Sequence, residues 1–257
     1  MKKIRIIYIL IILILIYSEC CFAKGLVTTI LQDMERRNEL GVDLTAKVSL
    51  VQQRVRQGVR EIEYLYYRKD SNNAFLLVAL SPEREKGNGY LRIDNNMWMY
   101  RRNTRTFQHL NRSDRIGDTE VNAENFESRR LTEMYKPVMD DNENEIYSED
   151  SLGKIPVYKF EVKAFVKDVS YPTHVYWVRQ DNYLPLKQES YSLSGTLMQT
   201  SYYLQYTNIR EQFIPIKFIV IDNFEEGNKT IGSISGISLK PVEDAIFTKA
   251  YLENVNK

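Results

Sequence analysis

The stretch VDLTAKVSL, residues 42–50, alternates apolar and polar side chains over its whole length. A period of two places successive side chains on opposite faces of a β-strand, so this stretch predicts a strand with one buried face. The same alternation returns at residues 158–166, in the second half of the chain. Both halves of the chain are therefore predicted to consist mainly of β-strands.

Other short apolar runs between polar turns predict further strands. They lie at residues 59–67, 74–80, 90–93, 97–100, 106–110, 175–177, 184–186, 197–206, 213–221 and 230–239. Consecutive strands joined by short turns favour antiparallel pairing. We expect one sheet of about ten or eleven strands, which is more than an open sheet usually holds without curling.

One helix is predicted ahead of the strands, at residues 24–40. Leu26, Ile30 and Met34 recur there at every fourth position, the spacing of one helical face, and Gly41 follows where a C-terminal cap is expected. We expect this helix to cover the sheet, because a strongly curved sheet closes poorly without a cover over its mouth.

An irregular section separates the two runs of strands. Residues 122–135 predict one or two short helices that begin at an asparagine cap, and residues 140–151 predict a polar loop. The predicted fold class is mainly β (α+β): a strongly curved antiparallel sheet, or incomplete β-barrel, with helices over its concave face.

Residues 1–23 have the pattern of a secretory signal peptide. Three basic residues precede an apolar run of twelve residues at 6–17, a length within the ~7–15 of a signal peptide and short of the ~20 that span a bilayer. Cys21 and Ala23 supply small side chains for cleavage after Ala23. We expect export to the periplasm and one mature domain over residues 24–257.

Lipid attachment at Cys20 or Cys21 is the alternative for this N-terminus. The residue before a lipidated cysteine is normally small, whereas Glu19 precedes Cys20, which disfavours the alternative. Cleavage after Ala23 would remove both cysteines of the chain. The mature protein would then have no disulfide, although its compartment permits them.

The composition excludes several classes of protein. Hydrophobic residues make up 43% and charged residues 27% of the chain, which excludes a disordered tail or a collagen-like rod. Lys and Arg number 35 against 34 Asp and Glu. Such a balance argues against a nucleic-acid partner, because phosphate neutralisation needs a basic face.

Side chains suited to catalysis or metal binding are scarce. Outside the signal peptide there is no cysteine, and His109 and His174 do not form a zinc-binding spacing. The acidic run at 140–145 resembles the start of a calcium loop, but Glu145 stands where that loop needs glycine, so we interpret it as a solvated loop. No enzyme activity, cofactor or metal is predicted.

Aromatic side chains are abundant, with 18 Tyr and 10 Phe. One interpretation is that they fill an ordinary sheet core. The other is that they line an apolar cavity on a concave sheet, suited to acyl chains. The residues predicted to line such a cavity are Tyr64, Tyr66, Leu76, Trp98, Tyr100, Phe160, Trp177 and Tyr203.

Residues 81–100 resemble the outer-membrane lipoprotein-sorting proteins of the LolA-like superfamily. In that family a Ser-Pro near a Lys-Gly precedes a strand, and a polar turn leads into a Trp-x-Tyr strand. This chain has Ser81-Pro82, Lys86-Gly87 and the strand with Trp98 and Tyr100. Residues 115–126 are similar to the family's acidic-aromatic helix start, although residues 117–119 and 125–126 depart from it, and residues 246–252 resemble its closing Phe-Thr segment.

This resemblance implies an incomplete β-barrel with helices over the concave face, and a periplasmic carrier that shields lipoprotein acyl chains on their way to the outer membrane. It also implies a basic residue at a strand end that holds a lid closed, for which Arg68 is the nearest positional match. Phe126 and Leu131, in the helical insertion, are predicted to belong to the lid.

Three hypotheses follow for the function. The leading one is a carrier of lipoproteins or other lipids, with an inner-membrane transporter as donor and an outer-membrane acceptor. The second is a lipid-binding periplasmic accessory of an inner-membrane transporter. The third is a structural envelope interaction protein that binds no lipid.

Overall fold

The computed structural model describes residues 25–55, 57–117, 119–123 and 130–255. The predicted signal peptide lies outside the described residues, as does Phe126. Within them the chain forms two α-helices, α1 (Leu26–Asn38) and α2 (Lys249–Asn254), and fourteen strands in one antiparallel sheet. The strands are β1 (Leu44–Arg54), β2 (Gly58–Lys69), β3 (Ala74–Ser81), β4 (Gly89–Ile93), β5 (Asn96–Arg101), β6 (Thr106–Leu110), β7 (Tyr135–Pro137), β8 (Tyr147–Leu152), β9 (Ile155–Ala164), β10 (Thr173–Arg179), β11 (Pro185–Tyr191), β12 (Leu197–Ile209), β13 (Gln212–Asp222) and β14 (Lys229–Ser238).

The helix predicted at 24–40 and the strands predicted from periodicity are confirmed. The sheet has fourteen strands rather than ten or eleven, and β7 and β8 are corrections. The segment predicted to be helical up to residue 135 forms, where it is described, a 3₁₀ turn at Leu131–Glu133 and then β7. The predicted polar loop at 140–151 contains the start of β8. Almost every side chain of β8 is exposed, so backbone pairing with β9 forms this strand without any apolar alternation.

The strand order is β6-β5-β4-β3-β2-β1-β14-β13-β12-β11-β10-β9-β7, with β8 also paired to β9. Two antiparallel meanders therefore make up the sheet, and the pairing of β1 with β14 joins them. Since the terminal strands β6 and β7 are not paired with each other, the sheet is an incomplete barrel.

Contacts of α1 show how strongly the sheet curves. The helix contacts both β13 and β7, which lie five positions apart in the strand order. In a flat sheet that spacing would be about 24 Å, more than twice the diameter of a helix. The sheet therefore wraps around α1, and we call the face that carries α1 the inner face.

Strand register assigns the side chains to the two faces. The pairs Val48–Tyr64 and Val48–Ile234 lie on the inner face, where they join one apolar cluster. A second inner cluster packs Val27, Ile30 and Leu31 of α1 against β9 and β10. On the outer face, residues 242–252, which we call the C-terminal segment, pack on β3 to β6. No helix among the described residues is long and apolar enough to cross a membrane.

Candidate functional site

A cavity of about 230 Å³ lies between α1 and the inner face of β10 to β13. Met34 of α1 lines its helix side, and Tyr176, Tyr203 and Phe213 line its sheet side. The residues Gln188, Ser190 and His174 add a polar stripe. The cavity thus combines aromatic walls with hydrogen-bonding and charged groups, among them Arg37 and Gln199, and both kinds of group occur in small-molecule sites.

The residues predicted to line one cavity do not share a face. Register places Tyr64, Tyr66, Phe160 and Tyr203 on the inner face, and Leu76, Trp98, Tyr100 and Trp177 on the outer face. The reason is that successive side chains of a strand point to opposite faces of the sheet. Which face a given ring takes depends on the pairing register with the neighbouring strands, and a strand's own sequence does not show that register.

Of the four inner residues, Tyr203 lines the cavity. Tyr64 is buried in the inner cluster, edge-on to Tyr90 with ring centroids 6.2 Å apart. Tyr66 packs at the border of the same cluster, and Phe160 packs under α1 against Tyr176. These three rings form the core around the site.

The outer residues have a different role. Leu76 and Tyr100 are buried under the C-terminal segment, with Trp98 packed beside them. Lys249 of α2 lies 4.4 Å from the centre of the Trp98 ring. Trp177 lies between Lys159 and Lys187, whose Nζ atoms are 5.0 and 4.1 Å from its ring centre. These cation–π contacts stabilise the outer face.

Sequence reasoning missed Tyr206, which lines the cavity beside Tyr203. Residues 203 and 206 would face opposite sides of a regular strand. The register of β12 against β13 shifts between Tyr203 and Gln205 and again between Gln205 and Tyr206. These irregularities turn both rings inward, and no period of two could reveal them.

A chain of hydrogen bonds crosses the cavity wall through His174. The Tyr203 hydroxyl donates to Gln188 Oε1 at 3.2 Å, and Gln188 Nε2 donates to His174 Nδ1 at 3.0 Å. Tyr135 donates its hydroxyl proton to the Tyr171 carbonyl at 2.9 Å, so it accepts from His174 Nε2 at 3.0 Å. This direction of donation requires a neutral imidazole protonated at Nε2.

The burial of this network keeps its groups uncharged. Burial lowers the pKa of His174 to about 4 and raises the pKa of Tyr203 to about 12. At neutral pH the wall therefore presents a neutral imidazole and protonated phenols. This part of the wall is compatible with an apolar ligand, and the charged side chains of Arg37, Arg112 and Asp168 line other parts of the cavity.

Both ends of α1 are held by side chains from other parts of the chain. At the N-terminus, Glu145 accepts hydrogen bonds from the backbone N–H groups of Val27 and Thr28 at 2.6 and 3.0 Å. A carboxylate there satisfies unpaired donors and complements the positive end of the helix. The acidic run at 140–145 thus forms the turn that delivers Glu145 to the helix.

At the other end, the Arg68 guanidinium donates to the backbone carbonyl of Asn38 and binds Asp70. Asp70 in turn accepts from the backbone N–H of Leu40 at 2.6 Å. Leu131, the other predicted lid residue that is described, packs beside α1 and lines the cavity. Of the two residues, Arg68 therefore bonds to the end of α1 without lining the cavity, and Leu131 packs beside α1 and lines it.

A second cavity, of about 260 Å³, adjoins the first and is lined by Arg92, Met97 and Leu110, among others. The residues Arg112 and Asp168 line both cavities. Among the described residues, no group of three or more His, Cys, Asp or Glu is arranged to hold a metal ion.

Comparison with solved structures identifies the fold. A LolA superfamily protein from Nitrosomonas europaea superposes with a TM-score of 0.70 at 23% identity, over 87% of this chain and 97% of that one. An outer membrane lipoprotein-sorting protein domain from Vibrio parahaemolyticus gives 0.73 at 16% identity, over 87% and 98%. A DUF1329 family protein from Desulfovibrio piger gives 0.75 at 17% identity, over 89% and 100%.

A family model described as that of an uncharacterized protein matches residues 71–254. The chain belongs to this family and has the LolA-like fold. The resemblance to lipoprotein-sorting proteins in the sequence is therefore confirmed, and so is the curved, incomplete barrel. No curated protein matches the chain. A LolA-like fold by itself does not assign a ligand, because one fold can carry unrelated functions.

Proposed function

We propose that this protein is a non-enzymatic periplasmic carrier that binds acyl chains of lipoproteins, or of other lipids, in the cavity beneath α1. The observation that carries the proposal is a cavity with aromatic walls, covered by a helix whose ends are held by a few polar contacts. The LolA-like fold supports the same assignment.

The physical need for such a carrier follows from the cost of wetting an acyl chain. Each methylene transferred from an apolar environment to water costs about 0.8 kcal/mol. A chain that crosses an aqueous compartment therefore needs a shielding cavity. Tyr176, Tyr203, Tyr206 and Phe213 offer ring faces for this purpose. The hydroxyl groups of Tyr203 and Tyr206 donate to Gln188 Oε1 and to the backbone carbonyl of Pro185.

The size of the cavity indicates how loading would proceed. Its 230 Å³ lies below the roughly 300–1,000 Å³ of typical ligand pockets. A lipid with several chains therefore requires the cover to move outward. The helix α1 is the cover that would move, because it joins no strand ladder and is attached by its buried apolar face and by Glu145 and Arg68 at its ends.

The remaining parts of the proposal concern location and partners. The pattern of residues 1–23 supports export to the periplasm. A donor in the inner membrane and an acceptor in the outer membrane would deliver and remove the cargo. Release then occurs when the acceptor offers the chain a better apolar environment.

A direct test compares two neighbouring tyrosines. Tyr203 points into the cavity, whereas Tyr202 lies on the outer face near Lys187. We expect Tyr203→Arg to abolish binding of a fluorescent fatty acid, because a cation would replace one of the aromatic faces of the cavity wall. Tyr202→Arg is the matched control on the same strand and should bind normally. Equal binding by both folded variants would contradict the cavity assignment.

Purification from membrane-containing cells, followed by mass spectrometry, separates the three hypotheses. Copurified lipoprotein supports the lipoprotein carrier. Stoichiometric lipid without lipoprotein supports the accessory of an inner-membrane transporter. If the protein carries no lipid and binds no probe, both lipid-binding hypotheses fail and the structural envelope protein remains.

A further inference from the structure

The two cavities on the inner face meet at a single ion pair. Arg112 follows β6, and Asp168 lies in the connection between β9 and β10. Arg112 Nη1 lies 2.9 Å from Asp168 Oδ2 and also donates to the backbone carbonyl of Asp168. Both residues line both cavities. The pair is therefore the partition between the two spaces.

The Arg112–Asp168 pair connects the two ends of the open sheet. β6 is one terminal strand of the sheet, and β9 lies next to the opposite terminal strand, β7. The pair thus bridges the gap that the incomplete barrel leaves open. The side chain of Asp168 is 79% exposed and that of Arg112 is 21% exposed, so water and salt compete mainly for the carboxylate.

The volumes of the two cavities indicate how the pair would affect ligand binding. Neither cavity reaches the roughly 300 Å³ at which typical ligand pockets begin, but the two spaces joined would lie within that range. Met97, Leu110 and Ala123 form the apolar part of the lining of the second cavity, beside polar residues such as Arg92 and His109. A chain that fills the first cavity reaches the second where Arg112 and Asp168 line both.

We propose that the Arg112–Asp168 pair sets the length of the acyl chain that this protein binds. With the pair closed, the site accepts the part of a chain that fits beneath α1. When the pair opens, the two cavities form one trough and longer chains gain contacts. This inference rests on the proposed function, since it concerns the ligand of the same site.

The test measures affinity against chain length. Primary alcohols from octanol to octadecanol displace a bound fluorescent fatty acid, and each added methylene that is buried should strengthen binding about fourfold. For the natural chain we expect this gain to stop at the length that fills the first cavity. For Arg112→Ala we expect the gain to continue to longer alcohols.

Further variants keep the test decisive. Asp168→Ala alters an exposed side chain and should shift the limit in the same direction, less strongly, because the backbone acceptor of Arg112 remains. The double reversal Arg112→Asp with Asp168→Arg should restore the original limit. Arg179→Ala is the matched control. Arg179 forms an ion pair with Asp181, with 2.6 Å between Nη2 and Oδ2, and neither residue lines either cavity.

Each outcome decides a separate question. An unchanged length limit in Arg112→Ala and Asp168→Ala, with normal binding of short alcohols, overturns the partition and leaves the carrier proposal intact. A change of the length limit that is seen with fatty acids but not with alcohols also overturns the partition. Such a result would show that Arg112 pairs with the carboxylate of the ligand. If the fatty acid and all alcohols fail to bind any of the proteins, the proposed function itself fails.

Discussion

Arg68, at the end of β2, donates a hydrogen bond to the backbone carbonyl of Asn38, the last residue of α1. The carboxylate of Asp70 binds the same guanidinium and the backbone N–H groups of Leu40 and Gly41. One strand end therefore holds the helix C-terminus and the chain that leaves it. A cationic group suits this position, because the last carbonyls of a helix carry partial negative charge.

Removal of this contact should loosen α1 without unfolding the sheet. We expect Arg68→Ala to weaken the hold on the helix end by about 1 kcal/mol, the order of a hydrogen bond to a charged group with partial exposure. Amide hydrogen exchange in the second half of α1 should then become roughly fivefold faster. Arg60 forms an ion pair with Glu85, with 2.5 Å between Nη2 and Oε1, and neither residue belongs to α1. Arg60→Ala should therefore leave the amide exchange of α1 unchanged. Equal exchange in both variants would refute a holding role for Arg68.

The opposite end of α1 depends on Glu145. Replacement by alanine leaves the N–H groups of Val27 and Thr28 without this acceptor, and we expect a loss of about 1–2 kcal/mol in the free energy of unfolding. Glu145→Gln keeps an acceptor oxygen and should lose less. Urea unfolding measures both. Asp141→Ala, an exposed change in the same turn, is the control, and a loss as large as that of Glu145→Ala would show that the turn matters rather than the cap.

His174 predicts a specific pH dependence. Burial lowers its pKa to about 4, below the ~6.5 of an unfolded histidine. Between these values the unfolded chain binds more protons than the folded one, so stability is complete above pH ~6.5 and falls as the pH drops towards the folded pKa. From pH 7 to pH 5 the loss should be about 2 kcal/mol.

The variant His174→Gln removes the titrating group, so its stability should change less over that pH range. Denaturant unfolding at the two pH values gives the comparison. His109→Gln changes an exposed histidine on β6 and should keep the full dependence of the natural chain. If His174→Gln lost as much stability on acidification as the natural chain, another group would be responsible.

Local patterns in the sequence predict most of the fold, but not the site. The alternation at 42–50 and the helical spacing of Leu26, Ile30 and Met34 predict β1 and α1, because their burial follows a regular period. β8 carries polar side chains on both faces, so nothing in its composition distinguishes it from a loop. β8 is a strand because its backbone pairs with β9.

The lining of the cavity depends on long-range register. Trp98 faces Leu91 and the outer side, while Tyr64 faces Val48 and the inner side. Nothing in either strand alone distinguishes the two situations, because a shift of one residue exchanges the faces. Tyr206 escaped prediction for a related reason, since a bulge changes the parity of β12 at that point.

Substitutions on the outer face should lower the free energy of unfolding and leave ligand binding unchanged. Leu252 of α2 is fully buried, and its Cδ2 lies 2.5 Å from the place that a Cβ on Gly89 would occupy. Such close packing predicts that Leu252→Ala costs about 2–5 kcal/mol in the free energy of unfolding, through lost burial and an unfilled space. Binding of a fluorescent fatty acid at a temperature where the variant is folded should be unchanged, because the C-terminal segment lies on the face opposite to α1. Val255→Ala, at a side chain that is 43% exposed, should alter neither property. A folded Leu252→Ala protein with weakened probe binding would mean that the C-terminal segment supports the inner cavity through the sheet, contrary to this separation of the two faces.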